Sequence, residues 1–385
     1  MKPAVRCDQI TPFIVMEILE KIQKLEARGI DVIHMEIGEP DFNVPECVDT
    51  ACREAFRNNE THYTHSLGDI RLREAISRYH LKTYQTHIDP GHILVTSGTS
   101  PAMLLLFSVL INPGDEIIIS DPHYACYANF IHYCQGIPVT IPVYESEGFV
   151  YTPAAIEEMV TERTRAIFIN SPSNPTGNVI PKKRIAQIVE IAAKYNLYII
   201  SDEIYHGLVY EGKEHSIFEF TDQAFVLNGF SKRFAMTGLR LGYLIAPPQF
   251  IRALQILQQN FFICANSVVQ RAGAAALKDA HSETQMMRET YNNRRVFLIN
   301  RIKEMGLGIT IEPTGAFYVF ANAKHISNDS YALALDILDK AHIGVTPGID
   351  FGSNGEGYLR FSYANSIENL KIGMDRLESY LKDLR

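Results

Sequence analysis

No apolar run approaches the roughly 20 residues that a membrane-spanning helix needs. The longest candidate, residues 102–111, is stopped by Asn112-Pro113-Gly114. An excess of positive charge is also missing. Lys plus Arg number 36 against 44 Asp plus Glu, a net charge of −8, which speaks against general nucleic-acid binding. The six cysteines (Cys7, Cys47, Cys52, Cys126, Cys134 and Cys264) form no C-x-x-C pair. Their scatter predicts reduced thiols, not a disulfide framework. Met1-Lys2-Pro3-Ala4-Val5-Arg6 leads into mixed polar sequence, so no secretory signal and a cytoplasmic protein are expected. There is no H-E-x-x-H and no Walker A lysine motif, and Gly352-Ser353-Asn354-Gly355 lacks the G-x-G-x-x-G frame. His62 and His65 have no carboxylate or helical partner, so no metal site is expected. Internal repeats and low-complexity linkers are absent as well.

What is present reads as a large globular protein. Hydrophobic residues make up 46% and charged residues 21% of 385 positions, enough chain for two or three domains and a core that needs no staple. The middle of the chain alternates short β-rich runs with helical patterns. Strands are predicted over 92–97, 116–120, 165–170, 197–201, 224–227 and 243–246. Helices are predicted over 101–111 and 181–196, the latter with Ile185, Ile188, Val189 and Ala192 on one face. Runs such as Ile117-Ile118-Ile119 and Tyr198-Ile199-Ile200 are continuously apolar, as strands covered on both faces require. This alternation implies an α/β fold with a mostly parallel sheet between helices. The ends differ: a helix and loop at the start, then a long helix from about 282, strands over 316–320 and 358–361, and a last helix opened by Ser366. They are read as one smaller α+β domain. The expected division is 1–45 as an arm and part of the small domain, 46–281 as the large domain, and 282–385 as the remainder of the small one.

In an open parallel sheet, ligands bind beyond the carboxyl ends of the strands. Gly98-Thr99-Ser100-Pro101, Ser171-Pro172-Ser173-Asn174-Pro175-Thr176-Gly177, Asp202-Glu203-Ile204-Tyr205 and Asn228-Gly229-Phe230-Ser231-Lys232 all follow predicted strands. Gly98 to Pro101 reads as a turn, hydroxyl caps and a proline at the first helical position, whose free N–H groups suit an anion. Asp202 ends an apolar strand, where a carboxylate needs donors or a cation. Lys232 sits near the same rim, where desolvation can free a nucleophilic amine.

Gly229 to Gly242 reads Gly-Phe-Ser-Lys-Arg-Phe-Ala-Met-Thr-Gly-Leu-Arg-Leu-Gly. It resembles the lysine-attachment signature of class I/II aminotransferases, which are fold-type I pyridoxal-5′-phosphate enzymes. Further matching segments follow in the family's order. They are Ile37-Gly38-Glu39-Pro40-Asp41-Phe42, Tyr63-Thr64 with Leu67-Gly68, Ser173 to Gly177, Ser201 to Tyr205, Pro347-Gly348 with Phe351-Gly352, and Leu359-Arg360-Phe361-Ser362. The resemblance spans about residues 10 to 380 and implies a fold of seven-stranded type for the large domain.

The resemblance also implies roles. Lys232 would form the Schiff base with pyridoxal phosphate and later shuttle the proton, with Asp202 on the pyridine nitrogen. Asn174 and Tyr205 would bond the 3′-oxygen. Gly98, Thr99, Ser100, Ser231 and Arg240 would hold the phosphate. Tyr124 would stack on the ring; with no Trp in the chain, tyrosine takes a place often filled by tryptophan. Arg360, with Asn174 and Gly38, would receive the substrate, the planar guanidinium taking the α-carboxylate. Tyr63 would reach the phosphate of a neighbouring subunit, which makes the working unit a homodimer. No second arginine for a substrate side chain stands out among Arg6, Arg28 and Arg233, all read as surface. The implied activity is amino transfer between an L-amino acid and a 2-oxo acid such as 2-oxoglutarate. Rival readings on the same fold are a cysteine-conjugate β-lyase, a synthase acting at Cγ of a sulfonium methionine derivative, and a non-enzymatic regulatory relative.

Overall fold

A computed structural model describes residues 4–384 of the chain. Among the described residues there are twelve strands in three sheets. Strand β1 (Ile33–His34) belongs to the smallest. The next seven are β2 (Ile93–Thr96), β3 (Glu116–Asp121), β4 (Ile137–Pro142), β5 (Thr164–Asn170), β6 (Tyr198–Asp202), β7 (Ala224–Gly229) and β8 (Gly242–Ile245). They form one sheet in the order β2-β8-β7-β6-β5-β3-β4, parallel except where β8 pairs with β2 and β7. The helices are α1 (Ile14–Glu26), α2 (Glu46–Arg57), α3 (Ile70–Tyr84), α4 (Thr99–Leu110), α5 (Cys126–Tyr133) and α6 (Pro153–Met159). They continue with α7 (Lys182–Lys194), α8 (Pro248–Phe261), α9 (Ser267–Asp279), α10 (His281–Glu304), α11 (Ser330–Ala341) and α12 (Ile367–Asp383).

Side chains alternate across a strand, so a strand that is apolar at every position must be covered twice. Ile117, Ile119, Phe168, Ile200, Phe225 and Leu227 join one core with Leu105, Leu106 and Phe107 of α4. Ile118, Ile167, Ile169, Ile199 and Val226 join another with Ile185 and Ile188 of α7 and Leu72 and Ile76 of α3. The predicted strands are all present, with ends displaced by at most two residues. β4 has no counterpart in the sequence reading. Pro138 and Pro142 break its apolar run, and it lies at the sheet edge against β3 alone, where a missing N–H is tolerated.

The two chain ends meet. β1 pairs in parallel with β10 (Ile343–Gly344), and β11 (Thr346–Pro347), β12 (Tyr358–Ser362) and β9 (Tyr318–Asn322) form a three-stranded antiparallel sheet. The strand expected at 316–320 begins at 318, because Ala316 takes a left-handed φ of 54° that extended backbone excludes. Ser366 accepts from the Asn369 N–H and caps α12, whose Leu370, Met374, Leu377 and Leu381 are buried with Ile18 and Ile22 of α1.

His34 locks this join. Its Nδ1 lies 2.7 Å from Glu36 Oε1 and its Nε2 lies 3.0 Å from Glu26 Oε1. The bond to Glu36 is the main reason its pKa is pushed up to about 9, against the opposing effect of partial burial. A histidine whose folded pKa exceeds its unfolded value near 6.5 stabilises fully below that value and loses the contribution as pH rises through about 9. His34→Gln is therefore expected to melt below the parent protein at about pH 6, with the gap closing by about pH 10. Thermal unfolding followed by circular dichroism at both pH values checks this; an unchanged gap removes the charged histidine from the argument.

Candidate active site

β5, β6 and β7 end side by side, with Asn170 level with Asp202 and Asp202 level with Leu227. Beyond these ends opens a cavity of about 470 Å³, walled by the strand-end turns on one side and by the joined chain ends on the other. A larger hollow of about 680 Å³ lies among α2, α3 and α9, where Arg71 meets Asp69 and Glu60, and Arg271 meets Glu60.

Asp202 is the last residue of β6 and 4% exposed. Burial pushes its carboxyl up to about 6. The Tyr127 hydroxyl, donating at 2.6 Å, the Ile204 N–H at 3.1 Å and the charge of Lys232 pull the other way. The carboxyl is therefore mostly ionised at neutral pH although almost no water reaches it.

Lys232 follows β7 in the turn after Phe230. Its amine opens into the same cavity and donates to the Gly38 carbonyl at 2.5 Å. Burial lowers its pKa to about 8; Arg360 and Arg240 add to the fall, while Glu39 and Asp202 oppose it. A substantial share of this amine is unprotonated at a pH where ordinary lysine carries its proton.

One end of the cavity is an anion cradle. The helix expected from 101 starts at Thr99, two residues earlier. Gly98 is its N-cap with φ 92°, and no side chain caps it. Thr99 and Ser100 therefore occupy the first turn instead of capping it, and Pro101 is the third helical residue. A Cβ on Gly98 would stand 2.6 Å from Arg240 Nη2, and one on Gly242 would stand 2.8 Å from the Thr99 N–H nitrogen. Two glycines thus let a guanidinium and a strand close on the helix start. Arg240 itself holds a left-handed φ of 53°, a costly conformation for a side chain, and donates to the Thr237 carbonyl at 2.9 Å. Thr99, Ser100, Ser231 and Arg240 all line this end.

The opposite side carries Arg360, 3% exposed on β12. Its Nη1 donates to Asn174 Oδ1 at 2.9 Å, and its Nη2 donates to Thr346 Oγ1 at 3.1 Å and to the Glu36 carbonyl. The guanidinium carbon lies 4.4 Å from the Tyr318 ring centre and 4.9 Å from that of Phe351. Among the described residues no carboxylate pairs with it, and its Nε has no partner. A buried cation ringed only by neutral acceptors is short of an anion. Tyr205 and Tyr318 share a hydroxyl contact at 2.8 Å, and burial pushes both well up. A Cβ on Gly38 would stand 1.9 Å from the Tyr318 hydroxyl, so only glycine fits. Tyr124 lines the cavity, with its ring edge-on to Tyr127 and Phe13.

Of the residues singled out from sequence, only Gly98 and Tyr63 do not line this cavity. Gly98 lies just behind it against Arg240, and Tyr63 stands 81% exposed elsewhere on the surface. Arg233 is half-buried: it donates to the Tyr79 hydroxyl at 2.6 Å and packs against Gly207, outside the cavity. Arg28 is exposed, and the side chain of Arg6 lies outside the described residues. Sequence reading missed Tyr127, Asn170, Tyr318, Thr346 and the apolar wall of Phe13, Val15, Met16, Leu19 and Ile37. Tyr127 had a signal, since it follows Tyr124 by one helical turn; Tyr318 and the wall had none.

This donor set fits the pyridoxal phosphate anticipated from the sequence: an amine whose pKa is lowered, a buried carboxyl held by two donors and a cradle that a Cβ would fill. Borohydride treatment of protein mixed with the cofactor should fix it covalently to the parent chain and leave Lys232→Ala free of it after washing. The trapping rate should climb as pH passes about 8. Cofactor fixed in the variant, located by peptide mass mapping, assigns the link to another lysine.

The profile of the family described as aminotransferase class I and II matches residues 30–377. The chain is 42% identical over 373 residues to the (5-formylfuran-3-yl)methyl phosphate transaminase of Methanocaldococcus jannaschii, covering 96% of each chain. It is 39% identical to an aspartate aminotransferase of Pyrococcus horikoshii, over 96% of this chain and 94% of that one. Among solved structures, a double mutant of the Thermus thermophilus aspartate aminotransferase superposes with a TM-score of 0.94 at 33% identity, covering 98% of this chain and 99% of that one. The architecture is that of fold-type I pyridoxal-phosphate enzymes. The chain belongs to the class I and II aminotransferases, which use pyridoxal 5′-phosphate to move amino groups.

Proposed function

We propose that the protein moves the amino group of an L-amino acid to a 2-oxo acid such as 2-oxoglutarate, with Lys232, Asp202 and Tyr205 as its catalytic residues. The observation that carries the reading is that an amine with lowered pKa, a buried carboxyl and an unpaired buried arginine open into one cavity. When bound, the cofactor supplies an electron sink for the pair left at the substrate Cα.

The chain's own residues divide the remaining work. Lys232 would hold the cofactor through its amine and, once released, would serve as the general base and acid that moves the proton of the substrate Cα. Asp202, kept ionised by Tyr127 and the Ile204 N–H, holds the ring nitrogen in its protonated form. Asn174 and Tyr205 would bond the 3′-oxygen, and Tyr124 would stack on the ring. Gly98, Thr99, Ser100, Ser231 and Arg240 hold the phosphate by charge-assisted bonds at a helix start. Arg360 and Asn174 take the substrate α-carboxylate, and Gly38 leaves room for the substrate beside its own backbone.

The same reading makes the enzyme a homodimer in which Tyr63 reaches the partner's phosphate site. Its loop is tied to α8 and α9 by Gln255, Gln259 and Gln270, and Ile256, Phe261 and Ile263 expose apolar surface close by in the sequence. Residues 1–45 and 282–385 act as one small domain over 46–281. Six free cysteines support work in a reducing cytoplasm.

Two measurements test these assignments. Glutamate should form from an amino donor plus 2-oxoglutarate, and Arg360→Ala should weaken donor binding by about 2–5 kcal/mol, because it leaves a buried carboxylate unpaired. A donor KM like the parent's removes Arg360 from the site; pyruvate and ammonia from a cysteine conjugate without 2-oxoglutarate favours the β-lyase. Lys232→Ala and Tyr63→Ala, each impaired alone, should regain activity when refolded together, since one site of each mixed dimer then has both residues. Activity no greater than the sum of the two variants assayed separately rules out a shared site.

A further inference from the structure

The start of α1 forms part of the cavity wall: Val15, Met16 and Leu19, with Phe13 immediately before them. A helix leaves its first N–H groups without internal partners, and the side chain of the N-cap residue commonly meets them. Here that residue is Phe13, which has no acceptor to offer. A residue at the other end of the chain supplies it. Asp350 Oδ1 accepts from the Ile14 N–H at 2.9 Å and Oδ2 from the Val15 N–H at 3.4 Å. Asp350 is 8% exposed and lies in the short turn Gly348–Phe351.

That turn is clamped on its other side to the large sheet. Asp121, at the end of β3, accepts from the Ser353 hydroxyl at 2.8 Å and the Asn354 N–H at 3.0 Å, and the His123 N–H donates to the Phe351 carbonyl at 2.8 Å. A Cβ on Gly352 would stand 2.2 Å from Asp121 Oδ1, so the strap lies hard against the sheet. Phe351 packs its ring on Arg360. One turn therefore ties three things together: the end of β3, the arginine read as the α-carboxylate site, and the helix that walls the cavity.

We propose that Asp350 is a positioning residue that fixes the α1 wall, and that this wall receives the substrate side chain and selects amino donors with large apolar side chains. The proposal rests on the reading of Arg360 as the α-carboxylate site. Among the described residues, Arg360, Arg240 and Lys232 are the cations that line this chain's cavity, and each already has a task there. The acid beside them, Glu39, is held by the Thr237 hydroxyl and repels an acidic side chain. Phe13, Val15, Met16, Leu19 and Ile37, all from the N-terminal segment, give this cavity apolar lining. Without the Asp350 carboxylate, two N–H groups in a buried place lose their acceptor, and the first turn of α1 loses its anchor.

The test measures kcat and KM for leucine and alanine as donors, with 2-oxoglutarate as acceptor, in the holoenzyme. The parent should prefer leucine. Asp350→Ala should lower the leucine-to-alanine ratio of kcat/KM about tenfold, mainly through the leucine KM. Asp350→Asn, which keeps one acceptor oxygen, should restore most of the ratio. Met16→Ala, at a half-exposed position where shortening leaves the fold intact, should lower the ratio in the same sense. Equal losses for both donors in Asp350→Ala would mean a merely structural role and overturn the proposal, as would an unchanged ratio in Met16→Ala. A parent that prefers aspartate to leucine overturns the wall as a side-chain site while leaving Arg360 in place. An alanine KM unmoved by Arg360→Ala identifies the underlying reading as the failure.

Discussion

The constraint on which the rest depends is the burial of two ionisable groups of opposite sign in one cavity. Burial disfavours charge, so it raises the Asp202 carboxyl and lowers the Lys232 amine until the two stand near 6 and 8. Each charge partly relieves the other, and neither is fully satisfied by it. Asp202 stays ionised because strand register delivers it to Tyr127 and the Ile204 N–H, while among the described residues Lys232 bonds one carbonyl, that of Gly38. An amine this poorly served is reactive, and a carboxyl this well held is not. The difference between them is set by the backbone of β6 and the turn after β7, not by the side chains alone.

Arg360 extends this logic to the joined chain ends. A guanidinium taken out of water needs five donors answered, and here its partners are an amide, a hydroxyl, a carbonyl and two ring faces. Those partners come from the turn after β5, from β11, from the loop after β1, from β9 and from the turn Gly348–Phe351. Segments far apart in sequence thus converge on one side chain, so the site and the packing of the ends depend on each other. His34 contributes from behind: it holds the side chain of Glu36, whose carbonyl accepts from Arg360 and from Thr346.

This division explains what could be read from sequence. Asp202, Asn174 and Lys232 stand where apolar strand runs stop, so the end of the hydrophobic pattern points to the rim, and the family motifs then supply identities. The sheet was legible for the same reason, since strands buried on both faces leave uninterrupted apolar runs. β4 was hidden because an edge strand can carry Pro138 and Pro142. The start of α4 was misplaced because hydroxyl residues are the commoner caps. Here Gly98 takes the cap, since Arg240 occupies the space a side chain would need. Tyr318, Thr346 and the α1 wall reach the cavity through tertiary packing alone, and no local spacing announces them.

The charge inventory of the cavity gives the last step. Arg240 and Arg360 are permanently positive and Lys232 is so below about pH 8, while Asp202 and Glu39 supply the negative charge. The cations are not grouped: Arg240 stands at the helix start and Arg360 across the cavity on β12. Two separated positive poles with a reactive amine between them suit a phosphate at one end and a carboxylate at the other. The neutral partners of Arg360 hold its geometry without cancelling its charge, which a buried carboxylate partner would do. Electrostatic satisfaction left open in this way is available to a ligand, whose binding would stabilise the fold as well.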